Sequence, residues 1–112
     1  MKLSITSTVD TNVGIPVTGM IGNIVAHTDS LLTTGQIPCD IEFYANDDAK
    51  TKQKHKLFPV VLAGDDTIQE LVASCTIDLT ESEVNAANLP TTIYNKVAAK
   101  LATDYGWTVV AV

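Results

Sequence analysis

Arginine is absent from this sequence, and all seven of its cations are lysines. Thirteen aspartates and glutamates oppose them, which gives the 112-residue chain a formal net charge of −6. Duplex nucleic acid is bound through cationic surface, and bidentate contacts to phosphate or guanine need the arginine fork. Aromatic residues, at 5 %, are too few for a base-stacking platform. We therefore expect no nucleic-acid partner.

Cysteine is also scarce. Two cysteines exclude a cysteine-rich disulfide scaffold and a four-cysteine zinc ribbon. Cys39 and Cys75 both fall on the apolar side of alternating segments, which favours two buried thiols that pack as small apolar residues. A disulfide between them stays open as an alternative if their strands are neighbours.

No apolar run approaches membrane-spanning length, and nothing after Met1-Lys2 resembles a secretory signal, so we expect no membrane partner.

Catalytic motifs are missing. The chain has no nucleophile elbow, phosphate-binding loop, dinucleotide-binding glycine pattern or His-Glu-x-x-His pair. His27 and His55 are the only histidines, and the aspartates that accompany them lie in turn-like sequence at positions Asp29, Asp47, Asp48, Asp65 and Asp66. None of these residues has a spacing typical of metal ligands. We expect no catalytic, cofactor-binding or metal-binding residue; a small enzyme that uses His27 or His55 is the least favoured alternative.

Alternating apolar and polar residues predict strands in the first two thirds of the chain. The alternation covers Leu3–Val9 and runs from Cys39 to Ala45. Gly22 inside the apolar stretch 20–27, and Gly19 directly before it, mark a bulge or a close backbone approach. Residues 28–38 predict a loop. The apolar residues of 66–79 fit both the spacing of a helix and the alternation of a strand. The alternation is the longer match, and we favour one strand over about 69–79.

The last third predicts helix. Thr80 and Glu83 form a capping-box pattern. An apolar stripe predicts a helix over about 91–104, Gly106 supplies a C-terminal cap, and residues 107–112 form a closing strand. With 46 % apolar residues, the chain predicts one α+β domain spanning 1–112. Its sheet has five or six mostly antiparallel strands, with the C-terminal helical segment packed on one face.

The most unusual feature is a run of four lysines at every second position, Lys50, Lys52, Lys54 and Lys56. On an extended arm all four ammonium groups project from one face. One interpretation is a charge-balanced hairpin tip, in which the acids of residues 40–48 pair with these lysines. The other is a partner-binding site, in which the cationic arm of one copy contacts the acidic body of the next.

The layout of the chain resembles small structural proteins of tailed-phage virions, of the kind found at the neck, tail or baseplate. The resemblance lies in a β-rich opening (LSITSTVDT), an amphipathic strand (IEFYANDDAK), a lysine-bearing connection that returns through LFPVVL, and a late helix (LPTTIYNKVAAKL) followed by YGW. It implies a non-enzymatic virion component that assembles as symmetric copies with itself or other virion proteins. The two cysteines, expected to be free, and the lack of a signal-like segment fit assembly in a reducing host cytoplasm. No functional residue follows from the resemblance.

Two functions therefore stay open. The favoured one is a structural assembly protein, a homo-oligomer held by sheet edges and the basic hairpin. The alternative is a small binding module for a protein, sugar or small-molecule ligand.

Overall fold

The computed structural model describes residues 1–26, 35–51 and 56–112. Within them the chain forms seven strands: β1 Leu3–Val9, β2 Val17–Ala26, β3 Gly35–Tyr44, β4 Val60–Leu62, β5 Ile68–Leu71, β6 Ser74–Leu79 and β7 Val109–Ala111. The helices are α1 Asp47–Thr51, α2 Glu81–Val84 and α3 Leu89–Tyr105. Five strands form one antiparallel, curled sheet in the order β6-β3-β2-β1-β7, and β4 pairs with β5 in a second, two-stranded sheet. The predicted α+β class is confirmed.

The core lies between the large sheet and α3. Ile93, Val97 and Leu101, four residues apart on α3, are all nearly fully buried against the alternating apolar residues of the strands. Gly22 of β2 lies in this core, where a Cβ atom would come within 3.2 Å of Ile41 Cγ2 and Phe43 Cε1. The close approach predicted at this glycine is therefore confirmed.

Two helix signals are also confirmed. The side chain of Thr80 accepts a hydrogen bond from the Glu83 N–H, and the Glu83 side chain accepts one from the Thr80 N–H, which starts α2. Helix α3 is slightly longer than predicted at both ends, with Pro90 in its first turn. Gly106 ends α3 with a φ of 72°, the left-handed geometry that favours glycine.

The single strand predicted over 69–79 is wrong, because the chain changes sheets in the middle of it. β5 belongs to the small sheet and β6 to the large one. Between them, the Val72 N–H donates to the Pro59 carbonyl oxygen at 2.8 Å, whereas the next residue, Ala73, accepts from the Ile41 N–H at 2.9 Å. Val72 turns into the core and Leu71 becomes 47 % exposed.

The predicted loop over 28–38 is too long at its C-terminal end. β3 begins at Gly35, and Ile37 already belongs to the buried alternation. Pro38 fits in this strand because it lies opposite Thr76, at a pair that forms no hydrogen bonds with β6, so its missing N–H costs that ladder nothing. Residues 28–34 lie outside the described residues.

Candidate functional site

The prediction that the four-lysine run is an extended arm is wrong at its first lysine, Lys50. Lys50 lies in the last turn of the short helix α1, and Lys52 and Lys54 lie outside the described residues. The helix forms because Asn46 Oδ1 accepts a hydrogen bond from the Ala49 N–H at 2.8 Å, and because Asp47 and Asp48 place negative charge in the first turn. Lys50 is therefore exposed on a helix rather than aligned on a strand.

Lys56 is neutralised within its own chain. Its Nζ lies 2.9 Å from Glu42 Oε1 on β3, and the Tyr44 hydroxyl donates to Glu42 Oε2 at 2.8 Å. The hydrogen bonds from Lys56 and Tyr44 lower the pKa of Glu42, and the Glu42 carboxylate raises the pKa of Lys56. For this pair the charge-balanced interpretation is confirmed. The partner-binding role of the four lysines stays a prediction.

The candidate metal and enzyme residues do not come together in the described parts of the chain. His27 and His55 lie outside those parts. Asp65 stabilises the turn in which it lies, because its Oδ1 accepts hydrogen bonds from the Thr67 N–H at 3.2 Å and from the Thr67 hydroxyl at 2.6 Å. The hydrogen bond from the hydroxyl lowers the pKa of Asp65. Residues 1–26, 35–51 and 56–112 contain no group of three or more metal-ligating side chains.

The outer edge of β6 carries backbone groups that have no partner strand within the described residues. In residues 1–26, 35–51 and 56–112, β6 ends the large sheet and pairs with β3 alone. The hydrogen bond from Ile41 N–H to the Ala73 carbonyl sets the alternation of this antiparallel ladder. By that alternation Cys75 and Ile77 bond to β3, whereas the backbone groups of Ser74, Thr76 and Asp78 point away from it.

Beside this edge runs a groove of about 310 Å³ between β6 and α3, whose lining includes Thr76, Lys96, Ala99 and Lys100. Lys96 Nζ donates to the outward-facing carbonyl of Asp78 at 2.7 Å and lies 3.0 Å from Glu83 Oε1. The edge is therefore occupied at its Asp78 end, and at Ser74 and Thr76 no other described residue pairs with it.

The opposite end of the sheet has a second open edge, β7. The N–H and carbonyl of Val112 bond to Lys2, and the Thr6 N–H bonds to the Thr108 carbonyl, so Val109 and Ala111 direct their backbone groups away from β1. Val110 and Val112 are 52 % and 58 % exposed. As far as the described residues go, the sheet thus ends on both sides in a strand with one neighbour.

The sequence indicates which β6 side chains are exposed, because Ser74, Thr76 and Asp78 alternate with apolar residues. It does not indicate that β6 is an edge, since edge position depends on pairing with β3, some 36 positions earlier in the chain.

Within the described residues, no helix has the length and apolar character needed to cross a membrane. No protein-family model, curated protein sequence or solved structure matches this chain.

Proposed function

We propose that this chain is a non-enzymatic structural protein that assembles head to tail, with β6 of one copy pairing with β7 of the next. The observation that carries the proposal is that the five-stranded sheet, in the part of the chain that the structure describes, has an open strand edge at each of its two ends. Strand addition supplies affinity through backbone hydrogen bonds. A contact between two different edges is heterologous, so repetition builds a ring or an open array, which is compatible with a virion component.

The surface chemistry of β6 supports pairing with another strand more than binding of a small molecule. Pockets for small molecules are lined predominantly by apolar and aromatic side chains. The groove along β6 is lined by Ile77 and Ala99 together with five polar or charged residues, Thr76, Asp78, Lys96, Lys100 and Thr103, and no aromatic residue is among them. Beside this groove the backbone N–H and carbonyl of Thr76 point away from β3, and they suit an extended segment.

The net charge makes association between copies depend on ionic strength. Each copy carries a net charge of −6, so copies repel one another at low ionic strength. Backbone pairing at the edges is uncharged, and salt screens the repulsion between the bodies. Association through the edges therefore strengthens as salt rises, whereas association through lysine–carboxylate contacts weakens.

The experiment uses two proline substitutions. Each removes one backbone N–H that points away from the sheet, and each leaves in place the N–H groups that bond to the neighbouring strand. Thr76→Pro removes the outward N–H of β6, and Ala111→Pro removes that of β7. Thr76→Val and Ala111→Val retain the N–H groups and serve as matched controls. Mass is measured by light scattering across a concentration series, after circular dichroism has verified that each variant folds.

The proposal predicts that wild-type and both valine variants form assemblies, and that each proline variant alone stays monomeric. A mixture of T76P and A111P forms a heterodimer, because one copy retains a functional β6 and the other a functional β7. A wild-type protein that is monomeric at every concentration and salt, or a T76P variant that assembles like the wild type, contradicts the proposal.

A further inference from the structure

Cys39 and Cys75 are direct cross-strand partners in the β3–β6 ladder. Their relative exposures are 0 % and 8 %, and both are free thiols. Both belong to the buried alternation of their strands, so the two side chains lie on the same face of the sheet. The sequence alone left their proximity open, and the register settles it.

The spacing of such a pair is close to that of a disulfide. By the alternation set at Ile41, Cys39 and Cys75 form a hydrogen-bonded pair, for which the Cα atoms are about 5.5 Å apart. Disulfides span Cα separations of about 4.4–6.8 Å, and their Cβ atoms need to be about 4 Å apart. Opposite residues on one sheet face have Cβ atoms about 4.5–5.5 Å apart. A small local approach of the two strands therefore suffices.

The burial of the two thiols decides how they react. Burial, with a smaller contribution from the charge of Cys39, raises the pKa of Cys75 to about 11, and burial also raises the pKa of Cys39. The folded protein consequently keeps little thiolate at neutral pH. Reaction requires partial opening, and β6 opens more easily than an inner strand because, among the described strands, it has a partner on one side only.

We propose that Cys39 and Cys75 are a modification site, a dithiol that a low-molecular-weight disulfide of the glutathione type converts to an intramolecular cross-strand disulfide. One protein thiolate attacks a sulfur of the small disulfide, forms a mixed disulfide and releases one small thiolate. The second protein thiolate attacks the protein sulfur of that bond and releases the second small thiolate. The two protein thiols lose two protons and two electrons, and the small disulfide is reduced to two thiols.

The bond ties the edge strand β6 to β3 in its native register. It closes a loop that contains the whole segment between the two strands, so it stabilises the folded chain chiefly by restricting the unfolded one. The inference is independent of the proposed assembly, since a monomer and an assembled protein contain the same pair.

The test refolds the full reduced chain from denaturant in a buffer of oxidised and reduced glutathione and, in parallel, without oxidant. Acid quenching, unfolding and alkylation with N-ethylmaleimide then precede intact-mass measurement and peptide mapping. The expected oxidised product is lighter than the reduced chain by two hydrogens, accepts no maleimide and yields a linked Cys39–Cys75 peptide. Its Tm rises by at least about 5 °C and returns on addition of dithiothreitol.

The alanine variants C39A and C75A are the controls. Each forms at most a glutathione adduct, and oxidant leaves its Tm without that rise. The proposal is overturned if the oxidised wild type folds with two free thiols, carries glutathione on one cysteine without closing the bond, or forms only intermolecular disulfides. Monomeric wild type that forms the bond would contradict the proposed assembly and leave this site intact.

Discussion

Lys96 donates a hydrogen bond of 2.7 Å to the backbone carbonyl of Asp78, on the side of β6 that faces away from β3. The same ammonium group lies 3.0 Å from the Glu83 carboxylate, which completes the capping box of α2. The Lys96 side chain on α3 thus contacts both the C-terminal end of β6 and the first turn of α2, the helix that follows β6. Lysine beside an open strand also limits unwanted pairing.

Replacing Lys96 tests this connection. We expect Lys96→Met to lower the free energy of unfolding by about 1 kcal/mol through the lost bond to Asp78, as measured by urea denaturation. In a double-mutant cycle with Glu83→Gln, the two losses are not additive, because Lys96 and Glu83 share one interaction. Strictly additive losses would show that the contact between these two side chains contributes nothing.

Gly22 provides a test of the core. Gly22→Ala places a Cβ against Ile41, Phe43 and Leu3 at 3.2–3.3 Å, so we expect a loss of about 1–3 kcal/mol in the free energy of unfolding. The control is Gly64→Ala, since no atom lies within 4 Å of its added Cβ, and we expect a change within about 0.5 kcal/mol. Equal effects in urea denaturation would contradict the packing described at Gly22.

Acid should destabilise the fold partly through Glu83. The hydrogen bond from the Thr80 N–H, followed by that from Lys96, lowers the pKa of Glu83 below its ordinary 4.5. A carboxyl whose pKa is lower in the folded state stabilises the protein above its unfolded pKa, and this stability is lost as pH falls through the folded pKa. Urea midpoints measured from pH 6 downward should therefore fall less steeply in Glu83→Gln than in the wild type. Parallel curves would contradict the assignment.

The four predicted partner-binding lysines need a test that separates local contact from total charge. We expect the triple variant K50Q/K52Q/K54Q to associate more weakly at low salt than T6E/Q69E/N95E. Both variants make the net charge of −6 more negative by three, and the control positions are exposed. Lys56 is left in place because it pairs with Glu42. Equal weakening in light scattering would assign the effect to general repulsion and remove these lysines from the contact.

Local signals predicted local structure. The alternation of Leu3, Ile5 and Val9 correctly predicted β1, and the capping residues Thr80 and Glu83 correctly predicted the start of α2. Residues 46–48 also carry a helix-start signal, a capping asparagine followed by two acids, which the sequence-based prediction did not use.

Features that depend on distant pairing were not predictable in this way. The break at Val72 arises from its bond to Pro59 and from the bond of Ala73 to Ile41, neither of which leaves a local pattern. The same holds for the open edge of β6 and the contact of Cys39 with Cys75, which both follow from the register of β3 against β6. The candidate site therefore emerges only from the fold.

The amide proton of Thr76 reports most directly on edge pairing. It points away from β3, whereas the amide proton of Ile77 bonds to β3 and serves as an internal control for folding. Hydrogen exchange measured by NMR should show the Thr76 amide unprotected in dilute protein and protected as concentration rises, with the Ile77 amide protected throughout. A Thr76 amide that exchanges freely while the measured mass of the particle increases would place the contact between copies elsewhere on the molecule.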